Sequence, residues 1–140
     1  MQRERAFKKR YLVALVVILL AWGAYILPRW FFPVGYTLYK KVPLNDAANI
    51  YVVQTDAGAT TAYSYRYYLV DAKESDDAFM ANVANAAPFL NTKDEKATLN
   101  VKDSQIYLRV RGEIYSFDSP ALYRSGSGIH SVAIYLDAAP

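Results

Sequence analysis

The chain has 140 residues, 54% of them hydrophobic, with no cysteine and a formal net charge of +3, so disulfides, thiolate metal sites and lipid-modified cysteine anchors are all excluded. Arg3, Arg5, Lys8, Lys9, Arg10 and Arg29 hold six of the 16 basic residues and Glu4 is the only early acid, which leaves ten bases against twelve acids in the rest. That remainder has a net charge of −2 and no basic patch to displace counterions from phosphates, so no nucleic-acid partner is expected.

Residues 1–10 form a basic N-terminus, followed by an uncharged apolar run from Tyr11 to Leu27. At about 1.5 Å per residue this run is near the lower limit for crossing hydrocarbon, and snorkelling of Lys9 and Arg10 extends its reach. Trp30, Phe31 and Phe32 follow at the far end, where amphipathic and aromatic rings favour the headgroup layer. Arg10, Tyr11, Leu27, Trp30, Phe31 and Phe32 are therefore the expected membrane-anchoring residues. The excess of Lys and Arg before the run predicts a cytoplasmic N-terminus and a domain on the outer side. A cleavable signal peptide competes with this reading, because Ala21-Trp22-Gly23 has small residues at the two positions a signal peptidase checks. The apolar run continues past that point through Ile26 and Leu27, which favours an uncleaved helix over 11–27.

Pro28 and Pro33-Val34-Gly35 predict a helix end and a short juxtamembrane tether over 28–35. The pattern then changes to period two, and 36–140 reads as one β-rich domain. Tyr36–Val42 alternates, placing Tyr36, Leu38, Lys40 and Val42 on one face. Ile50–Thr55 and Thr60–Val70 are strand candidates joined by a hairpin turn at Asp56-Ala57-Gly58, with Tyr63, Tyr65, Tyr67 and Leu69 sharing one side. Ser75 precedes Asp76-Asp77 and an apolar set at Phe79, Met80, Val83 and Ala87, the spacing of a capped amphipathic helix that Pro88 stops.

Asn91–Lys96 reads as a polar loop. Strands are then predicted at Ala97–Lys102, Gln105–Arg111, Glu113–Phe117, Ala121–Tyr123 and Ile129–Leu136, separated by Gly, Ser, Asp and Pro turn signals. The predicted class is α+β: an N-terminal transmembrane helix followed by a small antiparallel β-sheet or sandwich domain with one inserted helix.

No catalytic constellation accompanies these elements. His130 is the only histidine, at the start of a predicted strand, where a solvent-facing edge position explains it. The acidic stretch Asp71–Asp77 lacks the spaced ligands and glycine turn of a calcium loop, and helix capping accounts for Ser75, Asp76 and Asp77. No catalytic residue, metal, cofactor or small-molecule substrate is expected. The informative strand is Gln105–Arg111. Its Ile106, Leu108 and Val110 must face the core, which leaves Tyr107, Arg109 and Arg111 as a solvent-facing stripe. Tyrosine and arginine are enriched in the hot spots of protein interfaces, so these three are the candidate partner-binding residues.

The basic start and apolar anchor, with Tyr39-Lys40-Lys41-Val42-Pro43-Leu44, the run from Tyr51 to Thr61, Tyr65-Arg66-Tyr67-Tyr68-Leu69 and the run from Val110 to Phe117, carry a resemblance. Over nearly its whole length the chain resembles an enterobacterial family of small single-pass membrane proteins with a domain of unknown function. These are strand-shaping motifs, so the resemblance transfers no active site. It implies an inner-membrane protein with a periplasmic domain. The expected function is a non-enzymatic protein-binding module, whose most specific form by analogy of layout is an immunity-type inhibitor of an interbacterial toxin. The competing expectation is a structural accessory subunit of an envelope complex, recognised through its transmembrane helix.

Overall fold

A computed structural model describes residues 2–31, 33–58 and 61–140 and, within the first helix, the side chains of residues 8–26. Two compact units divide the chain, 1–33 and 34–140. The first is the helix α1 (Gln2–Phe31). Its stretch Lys8–Ile26, 19 residues of mean hydropathy 1.7 with none of that stretch buried, is long and apolar enough to cross a membrane. Leu12, Leu15, Leu19, Leu20 and Trp22 are each at least 58% exposed, and their positions go all round the helix. Proline at 28 does not end the helix as expected. A proline costs one i→i−4 hydrogen bond, and the backbone continues helical to Phe31. Of the expected anchor residues, Phe32 lies outside the described residues, as do the side chains of Leu27, Trp30 and Phe31.

The second unit contains β1 (Gly35–Pro43), β2 (Ala48–Asp56), β3 (Ser64–Asp71), α2 (Asp76–Asn82) with a 3₁₀ turn at Val83–Asn85, and β4 (Leu90–Thr92). It continues with β5 (Thr98–Lys102), β6 (Gln105–Arg111), β7 (Ile114–Phe117), β8 (Ala121–Ser125), β9 (Gly128–Val132) and β10 (Ile134–Ala139). These form a five-stranded sheet in the order β1-β2-β3-β4-β7, a three-stranded sheet β10-β6-β5 and a two-stranded ribbon β8-β9. The class is α+β with mostly antiparallel pairing, and β10 on β6 is the one parallel pair among the described strands.

Both faces of β2 and β3 are buried, and residue parity sorts their side chains into two apolar clusters. Ile50, Val52, Tyr65 and Tyr67 join Leu90, Ile106, Leu108, Val110 and Ile134 in the larger one, which draws on both larger sheets. Tyr51, Val53, Tyr68 and Val70 face the other way and are covered by Phe79 and Val83 of the α2 segment. The α2 segment begins as its sequence predicts. The Ser75 side chain accepts from the Ala78 N–H at 3.2 Å, and Asp76 and Asp77 occupy the first turn, where carboxylates complement the helix dipole.

A tie holds α2 to the sheet. Lys41 Nζ donates to Asp76 Oδ1 at 2.8 Å, and the Tyr51 hydroxyl donates to the same oxygen at 2.5 Å. Hydrogen bonds from Lys41 and then Tyr51 hold the Asp76 carboxyl below its ordinary range. Because that pKa is depressed in the folded state, the tie contributes stability above the usual carboxylate range and loses it as pH falls through the lowered value. The denaturant midpoint should therefore fall on acidification, and Asp76→Asn should reduce that slope. An Asp76→Asn protein with an unaltered slope would show that the tie does not contribute to it.

The structure corrects five further expectations. Tyr36, Leu38, Lys40 and Val42 do not share a face. A β-bulge between Leu38 and Lys40 puts Tyr39 out of phase, so Tyr36 and Leu38 join the helix-side cluster while Val42, opposite Ile50, packs on the other. The strand foreseen from residue 60 starts at Ser64, leaving Tyr63 51% exposed outside the strand and the link from β2 longer than a tight hairpin turn. Thr60 itself lies outside the described residues. Part of the expected loop is strand, because Leu90 and Thr92 of β4 are fully buried between β3 and β7. The expected strand Ile129–Leu136 is two, broken at Ala133, and the second runs on to Ala139. That second strand pairs parallel to β6, where antiparallel pairing was expected throughout.

Candidate functional site

The three-stranded sheet presents one face to the core and one to solvent. Leu108 and Val110 of β6 are at most 2% exposed, and Ile106 is fully buried, which fixes the parity of the strand. The turn into β6 sets its register: Asp103 and Ser104 take φ of 52° and 58°, the left-handed pair of a two-residue hairpin, and Lys102 then pairs with Gln105. Gly112, at φ 117°, ends the strand in a backbone conformation that L side chains rarely adopt.

Tyr107, Arg109 and Arg111 consequently stand together on the solvent face, as their spacing predicts. The parallel register places Tyr135 beside Tyr107 and Asp137 beside Arg109. The two tyrosine rings stack with centroids 4.9 Å apart and planes 12° apart, and the Tyr107 hydroxyl donates to Gln105 Oε1 at 3.0 Å. Arg109 Nε donates to Asp137 Oδ2 at 2.9 Å, and Arg111 Nη2 reaches the same oxygen at 3.5 Å. The Arg111 main-chain N–H donates to Asp94 Oδ2 at 2.7 Å, tying the end of β6 to the segment after β4. The two arginines, Arg111 first, hold the Asp137 carboxyl below its usual range.

All three ionic side chains remain about half exposed or more, at 65%, 49% and 58% for Arg109, Arg111 and Asp137. Exposed ion pairs contribute little to folding, so this arrangement orients guanidinium groups more than it stabilises the sheet. Thr98 and Asn100 of β5 complete a shallow depression of mixed polarity with Tyr107, Arg109, Tyr135 and Asp137, lined also by Leu108, Ile134 and Leu136. Tyr135 and Asp137 are the members that sequence reasoning missed. The signal for Tyr135 was present in the alternation of 134–138, but parity alone does not say which strand lies beside β6.

His130 is exposed on β9, with its ring 5.2 Å from that of Tyr123. In the acidic stretch, Asp71 accepts from the Lys73 N–H at 2.9 Å, Ser75 caps α2 and Asp76 is tied as described. Among the described residues no group of three or more His, Asp or Glu is placed to hold a metal ion. Burial, followed by the hydrogen bond to Asp76, raises the Tyr51 pKa, which keeps that phenol protonated and suits a tie.

Compared with known proteins, the chain matches no family model, no curated protein and no solved structure.

Proposed function

We propose that the protein is a single-pass inner-membrane protein whose β-rich domain, in the periplasm, is a non-enzymatic protein-binding module. The carrying observation is the solvent face of the three-stranded sheet, where the stacked Tyr107–Tyr135 pair adjoins Arg109 and Arg111. Tyrosine and arginine on a flat, well-supported face are the residue types that dominate interface energetics. The exposed apolar surface of α1 supports the anchor, because each Å² of it left in water costs about 25 cal/mol. The basic residues before α1 support a cytoplasmic N-terminus. The larger apolar cluster, drawn from both larger sheets, supports a two-layer sandwich for the domain. Within the binding class, inhibition of an incoming toxin remains the most specific form, argued only from the layout of a small anchored domain. The enterobacterial family resemblance stands beside it on the sequence motifs alone.

The test is charge reversal read in intact cells. A photoreactive phenylalanine replacing Tyr107 should crosslink the bound protein, and Arg109→Glu with Arg111→Glu should remove that adduct while the circular dichroism spectrum stays unchanged. An adduct that survives charge reversal would overturn the site. Because the stretch Lys8–Ile26 of α1 is exposed, recognition through the helix is the second reading. Exchanging Tyr11–Leu27 for an unrelated spanning helix separates the two: a binding domain keeps its adduct, and a subunit recognised by its helix loses it.

A further inference from the structure

We infer that the outer edge of β10 is a strand-addition site, which takes an extended segment of a partner alternating apolar and acidic residues as a fourth strand of the β10-β6-β5 sheet. The inference rests on the reading of this sheet's solvent face as protein-binding and says how the partner is held.

Exposed sheet edges are normally blunted by lysine, proline, bulges or brevity, because their unpaired main-chain groups template further pairing. The edges of this domain differ in that respect. β1 carries the bulge together with Lys40, Lys41 and Pro43. β7 has only four residues. β5 ends on Lys102 and has Asn100 at its centre. In the ribbon, β8 lies against β3 and β9 opens on a glycine. By contrast, β10 runs for six residues as Ile-Tyr-Leu-Asp-Ala-Ala, without lysine, proline, glycine or bulge. Its only charge, Asp137, is held by the two arginines of β6.

The hydrogen-bond pattern gives the direction of the free groups. Ile106 N–H donates to the Ala133 carbonyl at 3.2 Å and Gly112 N–H to the Ala139 carbonyl at 3.0 Å. In a parallel ladder the main-chain groups of alternate residues point to the same neighbour, so 133, 135, 137 and 139 face β6 while Ile134, Leu136 and Ala138 turn outward. The Ser119 hydroxyl takes the Ile134 carbonyl at 3.4 Å. Leu136 and Ala138 then present N–H and C=O on a side where no further strand lies among the described residues.

An added strand would carry two rows of side chains. One continues the row of Leu136, which packs on the larger cluster, and calls for apolar residues. The other continues the solvent row of Tyr135 and Asp137. From there a glutamate can reach Arg109 or Arg111 of β6 across two strand spacings, about 10 Å, which the two long side chains span together. Two guanidiniums against one carboxylate leave this row with positive charge, and an acidic segment complements it. Main-chain pairing gives affinity and alternate side chains give choice of segment, as in other cases of strand addition.

The test uses the full chain in detergent micelles and a library of eight-residue peptides with apolar residues at alternate positions and the others varied. Selected peptides should favour Glu or Asp at the varied positions. A selected peptide should slow amide exchange at Leu136 and Ala138, and Ala138→Pro should weaken its binding by about tenfold, because this N–H points away from β6 and its loss spares the ladder. Selection of no peptide above scrambled controls, or binding without protection at Leu136 and Ala138, would overturn the inference. Exchange in the unsubstituted chain decides the matter even if Ala138→Pro fails to fold. If the Tyr107 crosslink is lost on charge reversal while no peptide protects these amides, the face is right and the edge is wrong. Protection with a crosslink indifferent to charge reversal gives the converse.

Discussion

Leu15→Arg combined with Leu19→Arg should move the protein from the membrane pellet to the soluble fraction after an alkaline wash. The two positions lie near the centre of the apolar stretch Lys8–Ile26 and are 58% and 61% exposed. An arginine at the centre of a spanning helix costs about 2.5–3.5 kcal/mol on insertion scales, so two together outweigh what a run of this length gains by insertion. Leu15→Ala with Leu19→Ala is the control that should stay in the pellet. If the arginine protein remained in the pellet as well, α1 would not be what holds the chain to the membrane.

The second large effect lies at Tyr51. Its side chain is fully buried, its ring meets Phe79 edge-on at 5.0 Å, and Tyr68 meets the same phenyl at 5.2 Å. The Lys41 ammonium stands 5.2 Å from its ring centroid, and its hydroxyl holds Asp76 at the start of α2. Tyr51→Ala should cost about 3–5 kcal/mol, the range for truncating a buried aromatic residue, which is a large part of a small domain's stability. Tyr51→Phe keeps the ring and should cost about 1.5 kcal/mol, the low end for a lost hydrogen bond to a charged group, because the Asp76 carboxylate remains accessible to water. Denaturant midpoints of the two variants measure the difference. Equal losses would mean that the hydroxyl tie, and not the packed ring, holds the α2 segment to the sheet.

Local signals sufficed for a helix cap and for the facing of one strand, whereas Pro28, also a local signal, does not end α1. Ser75 with Asp76 and Asp77 placed the helix start, and Ile106, Leu108 and Val110 placed Tyr107, Arg109 and Arg111 on the solvent face. Two of the failures share a cause, since each depended on a neighbour that the sequence does not name. β4 is three residues long and exists because β3 and β7 flank it, so Asn91 and Thr92 gave no strand signal of their own. The parallel docking of β10 is a choice of partner, and it brings Asp137 to Arg109 across 28 positions. The alternation in Tyr36–Val42 was real, but a bulge is a change of phase, and period-two counting assumes a constant one.

That change of phase has a consequence for the kinds of sequence change the domain can absorb. β1 is in effect two half-strands, the first supplying Tyr36 and Leu38 beneath α2 and the second supplying Val42 to the opposite layer. Their spacing depends on the surplus residue at Tyr39, so a deletion there would turn one half to the wrong side whatever residues remained. Many side chains at position 39 would keep the count and so preserve the layers. The link between Asp56 and Ser64 carries no such phase, and lengthening it costs only a slowly rising closure entropy. Descendants of this chain should therefore vary in length at that link, while β1 varies in composition and holds its residue count.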